Sequence, residues 1–272
     1  MNLSNVIPFC YKWCRLRRNH LLISIGMQLF GLIGYPLSHS FSKQYFTEKF
    51  QQMQLKDHAY HLFELPRIED FPALWKTQPD LVGLNVTIPH KQAVIPYLDT
   101  LDPAAMRIGA VNVIKHLPDG SLRGYNSDYW GFKTSLERWL PSRPVKALIL
   151  GTGGASKAVA LALEDLGIPY QFVSRKAKEN IWDYTKLDTE VLSQYALIIN
   201  TTPLGMSPQV ETAPAIPYEP LSEQHYLYDL VYNPAETRFM QYGKQQGAKV
   251  KNGLEMLHLQ AEKAWEIWTE PS

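Results

Sequence analysis

Asn85, Thr87 and Lys91 fall within the segment Gly83-Leu84-Asn85-Val86-Thr87-Ile88-Pro89-His90-Lys91. Two hydrogen-bonding side chains and an amine so spaced, at the end of a strand, can grip a small polar ligand and protonate it. Residues two apart on a strand share a face, so Asn85 and Thr87 point together while Val82, Leu84 and Val86 point the other way, into a core. Pro89 suits the first position of a following helix, where its missing N–H costs nothing. Lys91 then sits in the first helical turn, where the macrodipole disfavours a cation by roughly 0.3–1 kcal/mol. An ordinary exposed lysine at a strand–helix turn fits the segment equally well, so the rest of the chain has to decide.

A second constellation is Gly151-Thr152-Gly153-Gly154-Ala155-Ser156, which follows the apolar run Val145–Leu150 and opens a helix. Glycines there allow a tight turn and close backbone approach, so that a pyrophosphate can rest on the helix N-terminus. A glycine-rich turn without a ligand is the plainer alternative. The next strand end carries Ser174-Arg175-Lys176-Ala177-Lys178, where an NAD-binding chain usually has an acid for the ribose hydroxyl. Cations and a hydroxyl suit a 2′-phosphate instead, which favours NADP over NAD. A merely solvated basic loop leaves the missing acid unexplained.

Ser38-His39-Ser40-Phe41-Ser42 precedes a helical pattern. Its hydroxyls and free backbone N–H groups make an anion site suited to a carboxylate, although one serine is expected as a simple N-cap. Asn112 and Asp128 flank a hairpin; Asn112 could satisfy backbone groups only, and Asp128 could cap the helix it begins. His39 and His90 join no second ligand at metal-binding spacing and read as structural or peripheral, so no metal is expected.

The elements that must position these residues alternate between strand and helix. Gln28–Gly34 reads as a buried strand, followed by a helix with Phe46, Phe50 and Met53 on one face. Tyr60–Glu64 reads as a strand, 68–77 as a helix, and 81–87 as the strand leading to Pro89, whose helix Pro96 should end or kink. Ala110–His116 and Ser121–Tyr125 flank Pro118-Asp119-Gly120, a hairpin signal. A helix over 128–140 links to a second unit with strands at 145–150, 170–173, 196–200 and 226–231. The last helix, about 254–268, has an apolar stripe at 254, 257, 261, 264, 265 and 268, with Gln260 on its flank.

The chain has 272 residues, enough for two modest α/β domains, and a net charge of +1 that gives no basic footprint for nucleic acid. No apolar run is long enough to span a bilayer, so no membrane partner is expected. Both cysteines, Cys10 and Cys14, lie near the start; a cysteine-free body fits a reducing, cytoplasmic setting and excludes a cysteine nucleophile there. Residues 1–26 are basic and acid-free. Their apolar run is too short for a signal peptide and lacks a small-residue cleavage site, an organellar presequence is possible, and the preferred reading makes Met27 the first functional residue and the upstream stretch a nonessential extension or a start-site error.

In order along the chain, these motifs resemble the shikimate dehydrogenase family. The matching segments are Gly34-Tyr35-Pro36-Leu37-Ser38-His39-Ser40-Phe41-Ser42, Asn85-Val86-Thr87-Ile88-Pro89-His90-Lys91, Gly109-Ala110-Val111-Asn112, Asn126-Ser127-Asp128 and the glycine loop. Asn200-Thr201-Thr202-Pro203-Leu204-Gly205-Met206, Tyr228-Asp229-Leu230-Val231-Tyr232 and Gly253-Leu254-Glu255-Met256-Leu257 with Gln260 complete the series. Departures from the frequent pattern are Lys43 after the second serine, Ser174, Tyr125 and the bulk of Tyr129-Trp130.

The resemblance covers about residues 28–268 and implies an α/β protein with an N-terminal substrate domain (27–127, joined by the C-terminal helix 254–272), a C-terminal Rossmann-type NADP-binding domain (128–253), and a cleft between them. It implies NADPH-dependent reduction of 3-dehydroshikimate to shikimate, on the route to aromatic amino acids. Carried over by position, Lys91 and Asp128 form the catalytic pair; Ser40, Ser42 and Tyr232 hold the substrate carboxylate; Thr87, Asn112 and Gln260 bind its hydroxyls. Gly151, Thr152, Gly153, Gly154 and Ala155 cradle the NADP(H) pyrophosphate, Ser174, Arg175 and Lys178 meet its 2′-phosphate, and Leu230 and Gly253 line the nicotinamide pocket. The expected partner is a small-molecule substrate, with the chain a monomer or homodimer. Two other readings share these motifs: an NAD-using quinate/shikimate dehydrogenase, and a non-catalytic paralogue that binds a shikimate-like ligand.

Overall fold

A computed structural model of the chain describes residues 26–37, 40–140 and 146–271. Except for Gly26, the expected N-terminal extension lies outside them, as do Ser38, His39 and the expected strand start at Val145.

The first sheet is mixed, with strand order β2-β1-β3-β5-β6-β4. Its strands are β1 (Gln28–Gly34), β2 (His58–Glu64), β3 (Leu81–Val86), β4 (Thr100–Leu101), β5 (Val113–His116) and β6 (Leu122–Tyr125). Helices α1 (Phe41–Gln52), α2 (Phe71–Thr77), α3 (His90–Ala93) and α4 (Pro103–Ile108) connect them. β1 pairs in parallel with β2 and β3, and the expected hairpin is antiparallel, β5 running beside both β3 and β6.

After α5 (Ser127–Trp139) the second sheet is built from β7 (Ala147–Leu150), β8 (Tyr170–Ser174), β9 (Ile181–Asp183), β10 (Leu197–Asn200), β11 (Tyr226–Asp229) and β12 (Lys249–Lys251). Its helices are α6 (Gly154–Asp165), α7 (Thr189–Gln194) and α8 (Arg238–Gln245), and α9 (Leu254–Thr269) closes the chain. Every pairing in this sheet is parallel, in the order β12-β11-β10-β7-β8-β9. Renumbered from β7, that is the doubly wound order of dinucleotide-binding folds, with its switch point between β7 and β10. Parallel strands covered on both faces read as continuous apolar runs, which is why Ala147–Leu150 and Leu197–Ile199 lack alternation.

α5 and α9 join the two halves. Phe132 and Leu136 of α5 and Met256 of α9 pack into the core of the second sheet with Ile149, Val159, Leu163, Ile199 and Tyr228. Further along α9, Ala261, Ala264, Ile267 and Trp268 pack with Phe30 and Phe46 over the first sheet. One helix therefore belongs to both cores, and Gln260 lies where it passes from one to the other.

The structure departs from the sequence expectations at several positions. A register shift between β1 and β3 sets Leu29 opposite Leu81 and Phe30 opposite Gly83. Val82 is the extra residue of that bulge and packs in the Phe30/Trp268 layer, not beside Leu84 and Val86. Met53 is the exposed C-cap of α1 and not part of its buried face. α3 has only four residues, with Pro89 at its N-cap position, so little macrodipole acts on Lys91. Leu254, expected in the apolar stripe, is exposed, and Met256 is buried instead.

Candidate active site

Most of the residues singled out in the sequence converge on one cavity of about 400 Å³ between the two sheets. From the first half come Ser40, Ser42, Asn85, Thr87, Lys91 and Asn112; from α5, Asp128; from the second half, Ala155, Leu230, Tyr232 and Gly253; and from α9, Gln260. Leu32, Phe41, Met256 and Leu257 supply apolar wall. Asn85 and Thr87 both line the cavity, but Thr87 lies just past the end of β3 and Val86 between them lines it too, so strand alternation alone does not account for their placement.

Lys91 Nζ donates to Asp128 Oδ2 at 2.7 Å, and both side chains are partly exposed to the cavity, 28% and 16%. Asp128 does not cap α5. That role belongs to Asn126, whose Oδ1 accepts from the Tyr129 N–H at 3.1 Å. Relieved of capping, the Asp128 carboxylate lies in the first helical turn, where the dipole favours an anion, and turns to the lysine. The Lys91 backbone is tied down by its carbonyl, which accepts from Val111 N at 2.7 Å.

Ser40 is the N-cap of α1, its Oγ accepting from Lys43 N at 3.3 Å, which leaves Ser42 beyond the needs of the cap. Asn112 and Gln260 are linked through Ser127. Asn112 Nδ2 donates to Ser127 Oγ at 3.0 Å, Ser127 N donates to Asn112 Oδ1 at 2.6 Å, and Ser127 Oγ donates to Gln260 Oε1 at 3.4 Å. Gly131 allows this closeness of α5 to α9, since a Cβ there would stand 2.8 Å from Met256 O and 3.0 Å from Gln260 N.

Asn85 is oriented by Tyr60, whose buried phenol donates to Asn85 Oδ1 at 2.7 Å, while Asn85 Nδ2 donates to Asn112 O at 3.4 Å. Burial pushes the Tyr60 phenol well above its ordinary value, so it stays a neutral donor. Neither Tyr60 nor Ser127 was foreseen as part of this network. Both are small signals in the sequence, a tyrosine in an alternating strand and a serine beside an aspartate, and their partners are 25 and 15 residues away. His90 is structural, as expected: it is buried and its Nε2 lies 2.5 Å from Leu65 O.

The remaining glycine-loop residues lie in the turn from β7 to α6, past Ala155. Gly151 has φ +108°, and a Cβ there would stand 2.8 Å from Thr201 Oγ1, so only glycine fits. At Gly153 and Gly154 a Cβ would meet nothing within 4 Å: the space above the helix start is open. Gly153 is the N-cap and no side chain caps α6, so its first N–H groups are available to an anion. Thr152 is exposed in the same turn. Ser174 ends β8, Arg175 and Lys178 follow it exposed, and these three lie outside the cavity lining. Among the described residues Arg175 has no hydrogen-bond or ion-pair partner, and the Tyr184 phenol is the titratable group that feels its charge. These features fit a phosphorylated dinucleotide. No cluster of metal-ligating side chains occurs among the described residues, and no helix there is long and apolar enough to cross a membrane.

The shikimate dehydrogenase substrate binding domain family matches residues 32–114, the span that carries Ser40, Ser42, Thr87, Lys91 and Asn112. Among curated proteins, the chain is 42% identical over 258 residues to the shikimate dehydrogenase (NADP(+)) of Clostridium beijerinckii, covering 90% of this chain and 93% of that protein. Among solved structures, the shikimate 5-dehydrogenase of Thermus thermophilus in complex with NADP(H) and shikimate is 32% identical, with a TM-score of 0.77 over 89% of this chain and 94% of that one. The quinate dehydrogenase of Corynebacterium glutamicum in complex with NAD is 27% identical, with a TM-score of 0.79 over 90% and 94%. At 42% identity over 90% of its length to a curated member, this chain belongs to the shikimate dehydrogenase family.

Proposed function

We propose that this enzyme reduces 3-dehydroshikimate to shikimate, reversibly, with NADPH, and that the Lys91–Asp128 pair performs the proton chemistry. The observation that carries the reading is that pair, at 2.7 Å, set in a cavity whose polar groups suit a polyhydroxylated carboxylate.

NADPH, when bound, supplies a hydride to the substrate ketone carbon. The developing alkoxide then needs charge neutralisation and a proton. Lys91 Nζ can give both, as a cation aimed at the oxygen and as a general acid. Asp128 holds the ammonium in place and accepts from a neighbouring substrate hydroxyl. Ser40, Ser42 and Tyr232 hold the carboxylate, and Thr87, Asn112 and Gln260, with Asn85 beside them, hold the ring hydroxyls. At the cofactor end, Gly151, Thr152, Gly153, Gly154 and Ala155 hold the pyrophosphate against α6. Ser174, Arg175 and Lys178 take the 2′-phosphate, and Leu230 and Gly253 shape the nicotinamide pocket. On this reading residues 27–127 with α9 form the substrate domain and 128–253 the cofactor domain, and the enzyme acts in the cytoplasm as a monomer or homodimer.

The test is steady-state oxidation of NADPH by 3-dehydroshikimate, run beside shikimate and quinate oxidation with NADP+ and NAD+. Fast turnover with 3-dehydroshikimate and NADPH is expected. Preference for quinate with NAD+ would replace the reading with a quinate dehydrogenase, and ligand binding without turnover in any pairing would replace it with a binding protein.

A further inference from the structure

Asp229, the last residue of β11, is fully buried, and among the described residues no cation pairs with it. Three donors converge on its carboxylate instead: Asn200 Nδ2 at 2.9 Å and Val231 N at 3.0 Å on Oδ1, and Thr237 Oγ1 at 2.5 Å on Oδ2. Burying a carboxylate without a counter-ion opposes folding. The groups it ties together lie around the cofactor end of the cleft.

On one side is the turn after β11, which places Leu230 and Tyr232 in the cavity. Val231 N is held by Asp229 itself, Leu230 N donates to Asn200 O at 3.0 Å, and Gly253 N donates to Val231 O at 3.2 Å. The contact with Gly253 is tight, since a Cβ there would collide with the Leu230 carbonyl oxygen. On the other side is the loop after β10. Asn200 Oδ1 accepts from Thr202 N at 3.0 Å and Thr202 Oγ1 at 2.6 Å, and Thr201 and Thr202 pack against Gly151 of the glycine loop. Thr237, the third donor, is the N-cap of α8. A single carboxylate thus couples the turn holding the pyridine end of the cofactor to the loop beneath its pyrophosphate.

We infer that Asp229, through Asn200 and Thr237, is a positioning residue that sets the register of the 230–232 turn against the glycine loop and so the alignment of the nicotinamide with the substrate carbon. The inference rests on the NADPH-dependent reduction proposed above. It predicts a defect in hydride transfer and little change in cofactor affinity, because the phosphate contacts are made elsewhere.

The experiment compares full-length wild type, Asp229→Asn, Thr237→Val and Thr237→Ser. Each is assayed for kcat, for KM with NADPH and with 3-dehydroshikimate, and for the primary isotope effect on kcat/KM with NADPH deuterated at C4. Misplacing reacting groups by an ångström can cost about 10²-fold, so kcat should fall about tenfold or more in Asp229→Asn and Thr237→Val. The isotope effect should rise above wild type, KM for NADPH should stay within about threefold, and Thr237→Ser, which keeps the hydroxyl, should restore both kcat and isotope effect. A merely structural role lowers the amount of active enzyme and leaves the isotope effect of the remainder unchanged; that result overturns the inference. If Asp229→Asn does not fold, the Thr237→Val and Thr237→Ser pair decides alone. Absence of turnover by the wild type would overturn the reduction reading together with this inference, whereas a wild-type kcat and isotope effect in Thr237→Val would overturn only the inference.

Discussion

Lys91 and Asp128 are 37 positions apart in the chain and meet at 2.7 Å, one on a four-residue helix after β3 and the other in the first turn of α5. An ammonium in so short a helix owes its placement to the carboxylate and to the backbone bond from Val111, not to a macrodipole. Lys91→Ala should therefore cut kcat by about 10²-fold or more, the lower range for loss of a general acid. KM for NADPH should change far less than kcat, because the phosphate contacts proposed above are made by the glycine loop and the residues after β8 and not by the Lys91 side chain. Near-wild-type turnover in that variant would remove lysine from the chemistry.

Much of the site is legible in the sequence because its parts are local. A strand, a turn and a helix start are adjacent in the chain, so spacing assigns Gly151–Ala155 and Asn85–Lys91 to strand–helix junctions, while their roles at the site come from the family resemblance. What escapes is set by contacts between distant segments. The bulge that turns Val82 to the other layer depends on the pairing of β1 with β3, and nothing local to Val82 reports it. The cap of α5 falls on Asn126 because the helical backbone already begins at Ser127, which puts Asp128 inside the first turn, free to meet a lysine from another helix. Tyr60 enters the site through Asn85, two strands away in the sheet order.

Arg175 offers a separable test of cofactor choice. It stands exposed after β8, and among the described residues no carboxylate competes for it. A hydrogen bond between charged groups contributes about 1.5–3 kcal/mol, so Arg175→Ala should raise KM for NADPH by about one to two orders of magnitude. KM for NADH, which has no 2′-phosphate, should change little. Equal losses with the two cofactors would refute a phosphate role for this side chain.

Gly131 opposes two effects of known size. Replacing a helical glycine by alanine gains about 1 kcal/mol of helix propensity. Here the added Cβ would press on Met256 O at 2.8 Å and Gln260 N at 3.0 Å, both backbone atoms of α9. Overpacking of that kind costs about 1–3 kcal/mol, so Gly131→Ala should lower stability overall. Gln260 must also shift, so KM for 3-dehydroshikimate should rise while KM for NADPH does not. Urea unfolding and steady-state kinetics check the two halves, and a more stable variant with unaltered KM would show that α9 yields without consequence.

Asp229 makes stability depend on pH in a direction opposite to that of a salt-bridged aspartate. Burial pushes its carboxyl up to about 6, against the lowering effect of its hydrogen bonds from Thr237, Val231 and Asn200. The Tyr218 phenol is the titratable neighbour that feels its charge, itself held far above its ordinary value by burial. The unfolded carboxyl titrates near 3.9, so between about pH 4 and pH 6 the native state binds more protons than the unfolded one. Stability must then fall as pH rises through that window. About two pH units at 1.36 kcal/mol each make the full penalty about 3 kcal/mol above pH 6, and none below pH 4. Asp229→Asn removes the titration and adds only a pH-independent offset from its altered hydrogen bonds. The stability of Asp229→Asn relative to wild type, measured by urea unfolding at pH 4, 5, 6 and 7, should therefore climb by about 2 kcal/mol across the series. Parallel pH curves for the two proteins would mean that the buried carboxyl titrates at its ordinary value and that its three donors fully offset its desolvation.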